Sequence, residues 1–223
     1  MKHSRGAFLV LLLAASAVAQ AAQPELTGIW SIANPVDAIK TSEGKLPPLL
    51  PAAKAIYDQH LAAAARGDRS FDATTRCLPP GLPRLMLVSR PFEILQRPKV
   101  IYFIHELNRL PRRAYVDEPL PTDADPRYLG YSVARWEGDT LVIESAGFED
   151  GTLLDAAGLP HSAALHVTER YRLERGGKRL QAVFTVEDAR TFSAPWSFKA
   201  DYVKRRDYEL HENVCADKLV AEQ

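Results

Sequence analysis

The sequence predicts a mainly β protein, an antiparallel β-barrel with one inserted helix. Short segments in which apolar and polar residues alternate recur along most of the 223-residue chain, and Gly, Asp and Pro residues separate them. Evenly spaced short strands joined by turn residues are typical of antiparallel barrels and sandwiches. Only the segment that starts at Pro51 has the composition of a long helix.

The chain begins with a segment typical of a secretory signal peptide. Lys2 and Arg5 precede an apolar run over residues 7–15, and A-x-A cleavage signatures end at Ala19 and Ala21. The run is shorter than the roughly 20 residues of a membrane-spanning helix. We therefore expect loss of residues 1–21, a periplasmic or secreted protein without a membrane span, and a single β-barrel domain over residues 22–223.

The net charge of the chain argues against nucleic acid and anionic lipid as partners. The chain has 28 Lys and Arg against 28 Asp and Glu, so it has no long-range attraction to nucleic acid or anionic lipid. We predict no nucleic-acid partner.

Cys77 and Cys215 are the only cysteines of the chain, and an isolated pair in an oxidising compartment usually forms a disulfide. Such a bridge would stabilise the fold by about 4 kcal/mol in the chain-entropy model.

The first strand is predicted at residues 26–32 and contains Gly28-Ile29-Trp30. Small barrels of the lipocalin (calycin) type often begin with Gly-x-Trp, with the tryptophan filling one end of the barrel. The helix should run from Pro51 to about residue 66, because proline suits a first helical turn, alanines follow, and Gly67 can end it. We expect it to be an insertion that lies across one end of the barrel.

Further strands follow a proline-rich loop at residues 76–84. They are predicted at residues 85–89, 92–96, 100–107 and 112–116, in a hairpin of 130–136 and 140–145, in a second hairpin within 171–187, and at 195–204 and 209–214. Trp196, Phe198 and Tyr202 share one face of their strand, and we expect them to pack with Trp30 in one core.

The stretch from Gly158 to Arg172 carries the densest group of polar side chains. Its first half should be a loop, because Gly158 and Pro160 interrupt it. In its second half Glu169 alternates with apolar residues, whereas His166 lies on the opposite, polar face. A carboxylate on the apolar face is costly unless it is paired or hydrogen-bonded, so Glu169 is either functional or part of a buried ion pair.

Several long motifs resemble a family of exported bacterial proteins of uncharacterised function. They are Arg-Cys-Leu-Pro-Pro-Gly-x-Pro-Arg, Arg-Trp-Glu-Gly-Asp-Thr-Leu-Val, Gly-Phe-x-Asp and Pro-His-Ser-x-Ala-Leu-His-Val-x-Glu-Arg. The matching positions are Cys77, Arg135, Trp136, Asp139, Phe148, Asp150, Asp155, His161, His166, Glu169, Arg170, Trp196 and Cys215. The resemblance implies export, a disulfide and a lipocalin-like β-architecture, but no reaction. The family usually has a long side chain and a tryptophan before the Leu-Asp pair, whereas residues 151–153 are Gly-Thr-Leu here, which would widen the site.

Two functions from different classes fit these residues. His161, Glu169, His166 and Asp155 have the side chains for acid–base catalysis, in which Glu169 and His161 exchange protons and no cofactor is needed. The reaction would be of the lyase, isomerase or hydratase type. Alternatively, Glu169 pairs with an arginine such as Arg135 or Arg113, and the protein is a non-catalytic, periplasmic, lipocalin-like binding protein. A third class is an interaction or envelope-maintenance protein without a ligand.

In either of the first two cases we expect the partner to be a small hydrophobic or aromatic molecule. The side chains expected to contact it are Arg135, Tyr131, Tyr102, Glu106, Arg170 and Trp196. No metal site is predicted, because His166 and Glu169 point to opposite faces of one strand and could meet only through a bulge. The sequence gives no prediction of oligomeric state.

Overall fold

A computed structural model describes residues 23–215 and shows a closed barrel of nine strands with one long helix, as predicted. The strands are β1 (Gly28–Ile32), β2 (Phe92–Gln96), β3 (Val100–His105), β4 (Pro111–Val116), β5 (Tyr131–Glu137), β6 (Thr140–Ala146), β7 (His166–Glu174), β8 (Arg179–Glu187) and β9 (Trp196–Lys204). The helices are α1 (Pro51–Ala65) and α2 (Arg84–Leu87). The predicted signal peptide, residues 1–21, lies outside the described residues. Within them, no helix is long and apolar enough to cross a membrane.

Strand order follows the chain, and β9 pairs with β1 to close the barrel. Tight hairpins at residues 97–99, 138–139 and 175–178 lie at one end, which we call the hairpin end. The long connections, residues 33–91, 147–165 and 188–195, lie at the other, the loop end. Helix α1 packs at the loop end, where the His60 ring nitrogen Nδ1 lies 2.7 Å from the carbonyl oxygen of Gly158.

One strand pair departs from the antiparallel pattern. β4 and β5 run parallel, so residues 117–130 must return along the barrel from the hairpin end to the loop end. The two strands pair only over Ala114–Val116 and Ser132–Ala134. The first half of β4, which begins at Pro111 and so lacks one backbone donor, has no strand partner on this side. At the loop end β4 and β5 therefore lack backbone pairing, and the buried side chains of Arg112 and Ser132 join them instead.

Aromatic side chains fill the interior, as expected for a small barrel. Phe92 packs on Tyr202 with ring centroids 5.2 Å apart, and Phe184 stacks on Phe198 at 4.8 Å. Trp30, Trp196, Phe198 and Tyr202 all belong to one buried core, which confirms the predicted cluster. Helix α2 adds to this core, and the Tyr202 hydroxyl donates to the carbonyl oxygen of Met86 at 3.1 Å.

Two predicted strands are wrong. Residues 85–89 contain most of α2, because a short apolar run that is buried on all sides has no periodicity to separate helix from strand. Residues 209–214 form no strand. Instead, the buried carboxylate of Glu106 accepts hydrogen bonds from the Tyr208 hydroxyl and the His211 backbone N–H, at 2.8 and 3.1 Å. The described part of this C-terminal segment reaches Cys215, whose disulfide to Cys77 confirms the predicted bridge.

Candidate functional site

Four neighbouring strands each place one polar side chain inside the barrel near the loop end. They are Arg112 on β4, Ser132 on β5, Ser145 on β6 and Glu169 on β7. Strand residues alternate between the two faces, so each of these positions lies on the same face as its buried apolar neighbours two residues away. We call these four residues, together with Tyr171, the barrel polar cluster.

The Arg112 guanidinium binds three strands at once. Its Nη1 lies 2.7 Å from Glu169 Oε2, its Nη2 2.9 Å from Ser145 Oγ and its Nε 3.1 Å from Ser132 Oγ. The two serine hydroxyls are 2.8 Å apart. Arg112 and Glu169 are almost completely buried, so their charges compensate one another within the core.

Tyr171 completes the cluster by donating its hydroxyl to Glu169 Oε2 at 3.1 Å. Burial raises the pKa of Tyr171 well above its ordinary value, and the Glu169 charge adds to this shift. The phenol therefore stays protonated and remains a donor. The other carboxylate oxygen, Glu169 Oε1, is buried and has no hydrogen-bond partner among the described residues.

His105, at the loop end of β3, is a second buried polar group of the interior. It is 1% exposed, and neither ring nitrogen has a hydrogen-bond partner within residues 23–215. Its ring packs beside Phe92, with centroids 5.4 Å apart. Burial lowers the pKa of His105 to about 3, with a further contribution from the Arg112 charge. The imidazole is therefore neutral at physiological pH.

Because of His105, we expect the folded protein to lose stability as the pH falls. Its pKa is about 3 in the folded protein, against about 6.5 in an unfolded chain. As pH falls below about 6.5 the unfolded chain binds a proton that the folded protein does not. Stability is then lost at about 1.4 kcal/mol per pH unit until the folded group titrates. We expect His105→Leu to remove this loss between pH 6 and 4, as measured by urea unfolding at several pH values.

The matched control, measured in parallel, is His166→Gln, a histidine substitution on the outer surface of the barrel. Both variants keep the acidic groups that titrate below pH 5. The effect of His105 is therefore the difference between the stability–pH curves of the wild type and His105→Leu. Parallel curves for wild type and His105→Leu would show that His105 takes up its proton equally in folded and unfolded chains.

A cleft opens on the outside where β4 and β5 separate. It has a volume of about 250 Å³, and Arg112 and Ser132 of the barrel polar cluster line it. Tyr115 and Tyr131 stack at its side with ring centroids 5.2 Å apart, and the Arg127 guanidinium lies 5.9 Å from the Tyr131 ring centroid. We call this the β4–β5 cleft. The cleft thus has tyrosine side chains at its side and two members of the buried cluster, Arg112 and Ser132, in its lining.

The loop of residues 147–165 holds two of the predicted catalytic residues away from this cleft. The Asp155 carboxylate accepts the backbone N–H groups of Ile39 and Leu159, each at 2.9 Å. Burial raises the pKa of Asp155, although these hydrogen bonds oppose the shift. Asp155 therefore shapes the loop and ties it to the segment that follows β1.

His161 lies in the same loop with a different set of partners. Its Nε2 is 2.7 Å from Thr152 Oγ1, and its Nδ1 is 2.9 Å from the carbonyl oxygen of Ser162. Burial lowers the pKa of His161, so the ring is neutral near pH 7. A carbonyl can only accept, so Nδ1 carries the proton and Nε2 accepts from the Thr152 hydroxyl.

His166 lies on the outer face of β7, 3.5 Å from Glu187, and so on the opposite side of the sheet from Glu169. The four predicted catalytic residues, Asp155, His161, His166 and Glu169, form no hydrogen bond or ion pair with one another. None of them lines the β4–β5 cleft. The structure does not bring this set together.

The residues expected to contact a ligand are also dispersed. Tyr131 lines the cleft, whereas Arg135 and Arg170 lie outside the barrel, where both pair with Glu137. Glu106 holds the C-terminal segment, and Tyr102 is on the outer face of β3. Trp196 lines a separate cavity of about 380 Å³ next to residues 41–48.

Sequence reasoning missed the partner of Glu169. The expected arginines were Arg135 and Arg113, but Arg135 is exposed with Glu144 and Glu137, and Arg113 points outward from β4. Arg112, its neighbour, points inward with Ala114. The alternation of β4 could have identified Arg112, but only once the strand's buried face was known.

Among residues 23–215, no three His, Cys, Asp or Glu side chains form a group that could hold a metal ion. Comparison with protein-family models and with curated proteins gave no match.

Proposed function

We propose that the protein is a non-catalytic binding protein for a small, largely aromatic molecule that occupies the β4–β5 cleft. The observation that carries this proposal is the stacked pair Tyr115 and Tyr131, which lines the cleft on the outside of the barrel. Offset tyrosine rings bind aromatic ligands through apolar contact and favourable ring geometry. The volume of about 250 Å³ is below the roughly 300–1,000 Å³ of drug-sized sites, which favours a ligand of about one ring.

The alternative, a cofactor-free acid–base enzyme, has less support from the geometry. A general acid and base must both lie within hydrogen-bond reach of the same substrate. Glu169 is buried behind Arg112, and His161 is bonded to Thr152 in a separate loop. Two residues with separate hydrogen-bond partners, in different parts of the fold, are better suited to structural roles.

We also propose that the protein works in the periplasm or outside the cell. The disulfide between Cys77 and Cys215 supports this, because disulfides persist mainly in oxidising compartments. The signal-peptide-like sequence of residues 1–21 supports it independently.

A ligand-observed NMR screen with single-ring aromatic probes tests the binding proposal. We expect hits that perturb the protein at the cleft, and Tyr131→Leu should weaken them about two- to tenfold, the range of one aromatic pair. Leucine keeps an apolar side chain and so isolates the loss of the ring.

The control is Phe71→Leu, which removes a ring that stacks on His60 outside the cleft. It should leave probe affinity unchanged. Probes that bind equally to wild type and Tyr131→Leu, or turnover of any probe into product, would contradict the proposed function.

A further inference from the structure

We infer that the ligand of the β4–β5 cleft is an aromatic monocarboxylate, an inference that rests on the proposed binding function. Three arginines, Arg112, Arg113 and Arg127, line the cleft, and none of the residues that line it is acidic. The lining thus favours an anion over a neutral or cationic molecule.

The charge of Arg112 is already compensated by Glu169, and its guanidinium nitrogens are occupied by Glu169, Ser132 and Ser145. Arg113 and Arg127 differ from it. Within residues 23–215 neither of them forms an ion pair. Their donors are therefore available, and a planar guanidinium binds a carboxylate through two parallel hydrogen bonds.

The two tyrosines of the cleft indicate that the ligand has an aromatic part. Arg127 lies over Tyr131, which itself stacks on Tyr115, so a cation and an aromatic surface are adjacent. Burial raises the pKa of Tyr131, and Glu118 and Tyr115 add to the shift. The phenol is therefore neutral near pH 7 and brings no negative charge into the cleft.

A carboxylate attached directly to a ring can contact both the arginines and the tyrosines, whereas inorganic phosphate can use only the arginines. The small volume of the cleft also limits the ligand to about one ring with one acidic group. Benzoate is the simplest probe of this class, and benzamide is its neutral counterpart of nearly the same shape.

Calorimetric titration of the purified protein with benzoate, benzamide and inorganic phosphate tests the inference. We expect benzoate to bind at least about tenfold more tightly than benzamide, the scale of a hydrogen bond to a charged group. Its affinity should fall as salt is added, because the arginines are exposed. Arg127→Gln and Arg113→Gln should each weaken benzoate severalfold, whereas Arg66→Gln, at the exposed end of α1, should not.

The outcomes separate this inference from the proposed function. Equal affinities for benzoate and benzamide, both lowered by Tyr131→Leu, would overturn the carboxylate and leave the binding site in place. Tighter binding of phosphate than of benzoate would overturn the aromatic part. If no aromatic probe, charged or neutral, depends on Tyr131, both the inference and the proposed function are wrong.

Discussion

Glu169→Gln is expected to lower the free energy of unfolding by about 3–5 kcal/mol, the usual cost of leaving a buried charge without its partner. Glutamine has nearly the same shape and can still accept the Tyr171 hydroxyl, so the change removes mainly the charge that faces Arg112 at 2.7 Å. Arg112 is 3% exposed, so its unpaired charge would remain in the core. Urea unfolding at pH 7 measures the loss.

Two further variants identify the cause. Glu144→Gln removes a partner of Arg135 on the exposed outer face and should cost less than about 1 kcal/mol. Arg112→Met combined with Glu169→Leu removes both buried charges, and it should be less destabilised than either single change. A near-native unfolding curve for Glu169→Gln would show that the pair is not structural, and acid–base catalysis by Glu169 would then become the better-supported proposal.

The position of Glu169 inside the barrel was predictable because β7 is long and strictly alternating. Its alternation puts Val167, Glu169 and Tyr171 on one face, and all three are buried in the structure. The cleft was not predictable in the same way. Apart from Pro79, its residues come from β4, β5 and the segment between them. No local sequence pattern indicates that two consecutive strands run parallel.

The residues of the turns explain in part why the antiparallel strands were predictable and the parallel pair of β4 and β5 was not. Asp139 and Gly138 form a two-residue connection between β5 and β6, and such a connection permits only an antiparallel neighbour. Residues 117–130 carry no comparable signal, so the direction of β5 relative to β4 depends on contacts distant in sequence. The alternation of β7 that places Glu169 inside the barrel also places Arg170 outside, so the expected ligand contact of Arg170 did not follow from the pattern of its strand.

Trp30→Ala is expected to lower the free energy of unfolding by about 3–5 kcal/mol, the range for truncating a large core aromatic. Trp30 is fully buried, and its indole N–H donates to the carbonyl oxygen of Leu26 at 3.0 Å. It also lies at the seam where β1 closes the barrel through three residue pairs with β2 and three with β9. With so few pairs, side-chain packing must supply much of the stability of this seam.

Thermal unfolding followed by circular dichroism measures the effect, and the expected loss corresponds to a fall in Tm of roughly 6–20 °C for a domain of this size. Trp136→Ala is the matched control, because Trp136 is only partly buried, at the hairpin end of β5 and on the same face as Ser132 and Ala134. It should cost clearly less, since its ring leaves a smaller cavity when truncated. If the two variants melt together, Trp30 does not hold the β1 seam, and closure of the barrel must depend on backbone pairing rather than on this side chain.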